Sequence, residues 1–164
     1  MDHPSVPYHN PKANVHSILE VMVFPGVTQF IVDCCCCNEK QSNTLDFSTW
    51  KSIKEIEIGS HSFQYVTGVD IVGLSQLERV VIGRNCFSQE PASLDKNTIP
   101  RFRMKDCERL KELRIGRKSF CYYSVCEIDN NASLEVIEMG KMDEAYDSFV
   151  IGSLKVTSIL LTRE

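Results

Sequence analysis

Five stretches of this chain repeat one pattern. VTQFIVDCCCC begins at Val27, IKEIEIGSHSF at Ile53, LERVVIGRNCF at Leu77, LKELRIGRKSF at Leu110 and LEVIEMGKM at Leu134. Each carries apolar residues at positions one, four and six. Glycine follows at position seven as Gly59, Gly83, Gly116 and Gly140, and phenylalanine stands at position eleven as Phe63, Phe87 and Phe120. A weaker sixth copy starts at Thr157, with Leu160 at position four. A second apolar set precedes each start by eight, six and three residues. It reads Leu19, Val21, Phe24; then Leu45, Phe47, Trp50; then Val69, Ile71, Leu74; then Phe102, Met104, Cys107. Before Leu134 it reads Cys126, Ile128 and a polar Asn131, and before Thr157 it reads Phe149, Ile151, Leu154. Units this short cannot bury an apolar face alone, so each must pack on its neighbours in a one-dimensional stack.

The spacing locates an insertion. Leu110 follows Leu77 by 33 residues, nine more than the 24 that separate Ile53 from Leu77. The excess lies around SQEPASLDKNTIP, where Pro91, Pro100 and polar residues predict a surface loop over 88–100. Apolar residues at four and six, with others between, have a period of two and predict a short strand. Pairs such as Val69 and Ile71 in the second set have the same period and predict another extended segment on the opposite side. No segment has ten or more residues of helical periodicity, so long helices are not expected.

The stretches resemble the leucine-rich-repeat superfamily, whose core reads L-x-x-L-x-L-x-x-N-x-L. LERVVIGRNCF meets every position with Leu77, Val80, Ile82, Asn85 and Phe87. His61 and Lys118 take the asparagine slot in two other copies. Glycine at seven and phenylalanine at eleven are similar to repeats of large microbial and protist protein families. The resemblance implies an α/β-class solenoid that is β-rich here, with right-handed parallel coils, short concave strands and few or no long helices. Its expected extent is 18–164, with coils from 27, 53, 77, 110 and 134 and a partial coil from 157. Residues 1–17, with three prolines before Ala13 and no periodicity, are expected as an N-terminal arm.

Composition narrows the functional classes. Lys plus Arg number 18 against 22 Asp plus Glu, a net charge of −4. That argues against nucleic acid as the partner, because phosphate neutralisation needs a basic surface. No signal peptide and no apolar run of membrane-spanning length is present, so no membrane insertion is expected and the expected location is intracellular, in the cytoplasm. Eight cysteines without a secretory signal fit a reducing compartment.

The run Cys34-Cys35-Cys36-Cys37 invites a chemical role, and its register in the repeat bears on that. Asp33 takes the glycine slot, Cys34 a solvent-facing slot eight, Cys35 the inward asparagine slot, Cys36 a small-residue slot shared with Ser62, Cys86 and Ser119, and Cys37 the phenylalanine slot. Cys35, Cys36 and Cys37 are thus expected as small buried residues. A metal site needs a second, converging pair of ligands that the sequence lacks. Disulfides between coils two apart exceed the reach of the bond. A redox-sensitive thiol at Cys34 or Cys121 stays open as an alternative. His61 within GSHSF is expected as a hydrogen-bonded, partly buried residue, and Glu135 and Glu138 as solvated charges. No nucleophile elbow, phosphate-binding loop or zinc-protease motif is present, so no catalytic residue, metal or cofactor is expected.

The resemblance implies a non-catalytic protein–protein interaction module that uses its concave strand face. Arg79, Arg84, Arg114 and Arg117 are expected to gather there on adjacent coils, with Glu55 and Glu57 on the coil before and Lys141 after. Arginine forks suit an acidic or phosphorylated patch on a partner protein. The alternative is a structural or spacer segment of a larger repeat protein without its own binding site.

Overall fold

The computed structural model describes residues 12–15, 26–40, 44–88, 98–140 and 154–156, with side chains described for all but 12–15 and 154–156. Among the described residues, eleven strands run in chain order: β1 (Lys12–Val15), β2 (Gln29–Val32), β3 (Thr44–Asp46), β4 (Glu55–Ile58), β5 (Gly68–Val72), β6 (Arg79–Ile82), β7 (Arg101–Lys105), β8 (Glu112–Ile115), β9 (Val125–Asp129), β10 (Val136–Met139) and β11 (Leu154–Val156). No helix occurs among the described residues, so no helix there is long and apolar enough to cross a membrane. The strands form two parallel sheets. Sheet A has the order β1-β2-β4-β6-β8-β10 and sheet B the order β11-β9-β7-β5-β3. From β2 to β11 the chain alternates between the sheets, so each repeat adds one strand to each. Parallel pairing by short crossings demands this alternation, because parallel neighbours cannot be joined by a tight hairpin.

Both apolar sets point into one core. Positions one, four and six of the copies from Ile53, Leu77 and Leu110 are buried, as are Leu45, Val69, Ile71, Phe102, Met104, Cys126 and Ile128 of sheet B. In sheet A, Phe30, Ile56, Val80, Leu113 and Ile137 align on successive strands, so the sequence register is the strand register. Phe30 joins the two layers, meeting the Phe47 and Trp50 rings edge-on at 5.2 Å each. Phe63, Phe87 and Phe120 stack as an interior column, with ring centroids 5.6 and 4.6 Å apart and planes within 6° of parallel. That interval matches the spacing of parallel strands, about 4.8 Å. Tyr123 packs edge-on against Phe120, and its hydroxyl donates to the Val66 carbonyl. Burial raises its pKa well above that of a free tyrosine.

The turn after sheet A departs from the expected register. Cys35, His61, Asn85 and Lys118 at position nine have φ between 53 and 63°, and Cys37, Phe63, Phe87 and Phe120 at position eleven have φ between 53 and 59°. Left-handed backbone at nine turns that side chain outward and the next one inward. The expected inward asparagine slot is therefore an outer slot: Cys35, His61 and Lys118 are exposed and Asn85 is half-buried. The inward polar ladder runs through position ten instead. Ser62 Oγ accepts from the Cys36 N–H at 3.1 Å and donates to the Asp33 carbonyl at 2.9 Å. Ser119 Oγ accepts from the Cys86 N–H at 3.1 Å and donates to the Gly83 carbonyl at 2.7 Å. Sheet B has one such rung, where Asn131 accepts from the Cys107 N–H and donates to the Met104 carbonyl. Phenylalanine in left-handed backbone is strained, and complete burial of the three rings offsets that strain.

Two strand pairings lie near the expected boundaries. β1 lies inside the expected arm and pairs with β2, Lys12 opposite Gln29, so sheet A starts one strand earlier. At the other end, Leu154 pairs with Cys126 and Val156 with Ile128. Leu154 is thus paired with the first residue of the preceding second set, where the sequence frame made it the third; the expected coil start at Thr157 lies outside the described residues. Period-two alternation from Phe149 to Val156 permits either frame, and strand pairing selects the later one. Residues 157–164 lie outside the described residues, as does most of the insertion, where Ile99 is exposed and Pro100 buried.

Phe87→Ala removes the middle of the ring column, and the expected destabilisation is about 3–5 kcal/mol in urea unfolding, the range for a buried aromatic. A loss below about 1 kcal/mol, typical of a surface site, would contradict the stacked interior column.

Candidate functional site

Strand alternation directs positions three and five of sheet A outward. Register brings Gln29, Glu55, Arg79, Glu112 and Val136 into one row, and Ile31, Glu57, Val81, Arg114 and Glu138 into the next. Their charges alternate, and they are matched. Gln29 Nε2 donates to Glu55 at 2.9 Å. Arg79 donates through Nη1 to Glu55 at 2.5 Å and through Nε to Glu112 at 3.0 Å, with Glu57 at 3.9 Å. Arg114 donates to Glu112 and to Glu138. Hydrogen bonds from Arg114 first, and then Arg79, hold Glu112 below the usual carboxylate range. The Glu55 hydrogen bond, ahead of that from Glu112, holds Arg79 firmly protonated. Four strands thus share one ion-pair ladder. Such ladders on exposed faces contribute modestly to stability.

The four arginines expected as one patch therefore divide. Arg79 and Arg114 are engaged with Glu55, Glu112 and Glu138, and Glu57 stands beside Arg79. Arg84 and Arg117 sit apart on the turn, at position eight of adjacent repeats, and both are exposed. They line a cavity of about 250 Å³ at the C-terminal ends of β6, β8 and β10, together with Arg114, Glu138 and the backbone of Gly116 and Gly140. Glycine at position seven lets the turns of successive repeats approach closely there. A Cβ on Gly116 would stand 2.6 Å from the Gly83 carbonyl group, and one on Gly140 2.6 Å from Arg117 Cα. Lys141, expected beside them, lies outside the described residues.

Sheet B bears a second ion cluster that the sequence reading missed by considering one face only. Asp70 on β5 is 7% exposed. It accepts two hydrogen bonds from Arg103 at 2.7 Å, and Arg101 lies 3.6 Å away. Burial works against its ionisation, but Arg103 and then Arg101 outweigh that and hold its pKa below 3.8. The signal was available: Asp70 and Arg103 occupy equivalent positions in adjacent copies.

Cys34 is exposed and Cys37 buried, whereas Cys35, expected inside, is exposed and Cys36 only half-buried. The left-handed turn at Cys35 is the reason that Cys35 faces out. All eight cysteines are free thiols. Burial raises the pKa of Cys86 and Cys107 to about 11 and that of Cys126 to about 12. His61 is exposed, not partly buried, with Nδ1 3.5 Å from the Asn85 side-chain nitrogen. Glu135 and Glu138 are exposed. No group of three or more His, Cys, Asp or Glu side chains among the described residues converges as metal ligands would.

Two measurements follow from these environments. Iodoacetamide on native protein, read by peptide mass mapping, is expected to modify Cys34 and Cys35 first and to reach Cys86, Cys107 and Cys126 only after unfolding; early labelling of Cys86 would contradict the burial. Asp70, with its folded pKa depressed, contributes stability that is full above its unfolded pKa and lost as pH falls through the folded value. Asp70→Asn should therefore be less stable than the parent at pH 7 in urea unfolding, and the gap should narrow below about pH 4. A gap independent of pH would exclude the charge pairing.

Compared with protein-family models, curated proteins and solved structures, the chain matches none.

Proposed function

We propose that this chain is a right-handed leucine-rich-repeat solenoid acting as a non-catalytic protein–protein interaction module. Its recognition surface is the outer face of sheet A together with the turn that follows it. Repetition of both apolar sets and in-register parallel pairing in two sheets support the solenoid reading. One observation carries the functional reading: Arg84 and Arg117 are exposed on adjacent repeats and line one cavity. An exposed arginine fork at the rim of a concavity suits a carboxylate or phosphate group on a partner protein. Nucleic acid does not fit a chain of net charge −4, and no membrane insertion is part of this reading. A reducing, cytoplasmic setting agrees with eight free thiols.

A spacer role in a larger repeat protein is the second reading, and the β10 edge favours it. Val136 there is 40% exposed, and Ile137 and Met139 are half-buried where their counterparts in β6 and β8 are buried. Light scattering separates the two: a module is monomeric, whereas a segment built to be extended by further repeats self-associates through that edge.

Arg84→Glu combined with Arg117→Glu is expected to abolish capture of protein partners from extract by the immobilised chain. Circular dichroism and melting should stay near those of the parent, because surface substitutions change stability by about ±0.5 kcal/mol. Undiminished capture by the folded double variant would place binding elsewhere.

A further inference from the structure

We propose that Cys34 and Cys35 form a dithiol site for a trivalent arsenical. Of the eight cysteines, all of them described, these two alone are exposed, and they are consecutive on the turn after β2. Left-handed backbone at Cys35 turns its side chain to the outer surface where Cys34 already stands. The next repeat holds this turn in place. A Cβ on Gly59 would stand 2.5 Å from Cys34 N, Cys35 N–H donates to the Ser60 carbonyl at 2.8 Å and Cys36 N–H to Ser62 Oγ at 3.1 Å. Two thiols presented on a fixed backbone lose little freedom when one atom bridges them.

Geometry and charge select the bridging atom. A disulfide fits poorly, because Cα atoms of adjacent residues lie about 3.8 Å apart, short of the roughly 4.4–6.8 Å that disulfides use. Zinc takes four ligands, and no group of three or more His, Cys, Asp or Glu side chains among the described residues converges on one point. Monovalent copper is satisfied by two sulfurs, but its complex with two thiolates carries a negative charge. The Asp33 carboxylate, exposed beside Cys34, opposes that charge. Its field reaches along the run: burial first, and then Asp33, push the Cys36 thiol up. A trivalent arsenical avoids this cost because its adduct is neutral. An arsenoxide, R–As=O, condenses with two S–H groups. Two As–S bonds form, the As=O bond and both S–H bonds break, and the oxygen leaves with both protons as water. Arsenic stays trivalent, so no oxidant or reductant is needed.

Phenylarsine oxide added to the reduced full chain tests this. Intact-protein mass spectrometry is expected to show one phenylarsenic group per folded chain with two hydrogens lost, and iodoacetamide mapping to show Cys34 and Cys35 protected together. Excess mercaptoethanol should leave the adduct in place and dimercaptopropanol should remove it, since only a second dithiol competes with a chelate. Cys34→Ser and Cys35→Ser should each weaken capture by about 100-fold or more. Cys36→Ser should not, and serine already stands at that position in two other repeats. Circular dichroism near that of the parent reports that the variants are folded, as expected at exposed positions. Zinc at the same concentration should leave both thiols open to iodoacetamide. Release by the monothiol, capture unchanged by either exposed-site variant, capture lost with Cys36→Ser, protection of a different cysteine pair, or equal protection by zinc would each overturn the proposal.

Discussion

Beyond the strand ladders themselves, successive repeats press backbone against backbone at position seven, just after each sheet A strand, and the turn is arranged around that contact. At position seven, a Cβ on Gly59 would stand 2.5 Å from Cys34 N, and one on Gly83 2.6 Å from Ser60 N. The same glycines donate to the position-six carbonyl of the preceding repeat, Gly59 to Val32 at 2.7 Å and Gly83 to Ile58 at 2.8 Å. The contact permits no side chain, and the hydrogen bond permits no slippage. With register pinned there, the serine ladder at position ten and the phenylalanine column at position eleven fall into line three and four residues later. Asp33 occupies this position in β2's repeat, which also carries the run of cysteines in place of the serine and phenylalanine.

Much of the strand layout was legible because it depends on apolar periodicity, a property each residue carries alone. Leu77, Val80 and Ile82 declare one strand, and Val69 and Ile71 the other. Three features depended on relations between residues and were not. Asn85 looked like an inward ladder residue, yet its left-handed backbone sends the side chain out and passes the inward role to Cys86. Asp106 and Asn130, also at positive φ, are residue types that tolerate that conformation, whereas Phe87 is not, and nothing local to Phe87 announces its backbone. Arg79 and Arg114 stood out as surface arginines, but which glutamates they pair with depends on strand register, which places Glu55, Glu112 and Glu138 beside them. The frame at Leu154 was ambiguous because alternation alone has no phase.

That division of the arginines gives the candidate site its logic. Charges at positions three and five lie on a pleated face where the next strand, about 4.8 Å away, supplies a partner of opposite sign. Position eight lies beyond the strand, where the chain turns. In the proposed reading, recognition belongs more to the turn than to the sheet. The exposed Cys34 and Cys35 occupy the same edge two and three repeats away from the arginines, so one line of turns passes from thiols through Ser60 and His61 to cations.

The glycine contact is tested most directly by Gly116→Ala. Gly116 does not adopt positive φ, so alanine fits its backbone, and the smaller entropy of the unfolded chain alone would stabilise the variant by about 0.4–1 kcal/mol. A Cβ there would stand 2.6 Å from the Gly83 carbonyl carbon and oxygen. Urea unfolding is expected to show a loss of about 1–3 kcal/mol, the usual penalty of overpacking. A variant as stable as the parent or more so would contradict a backbone contact at position seven as the constraint that sets the register.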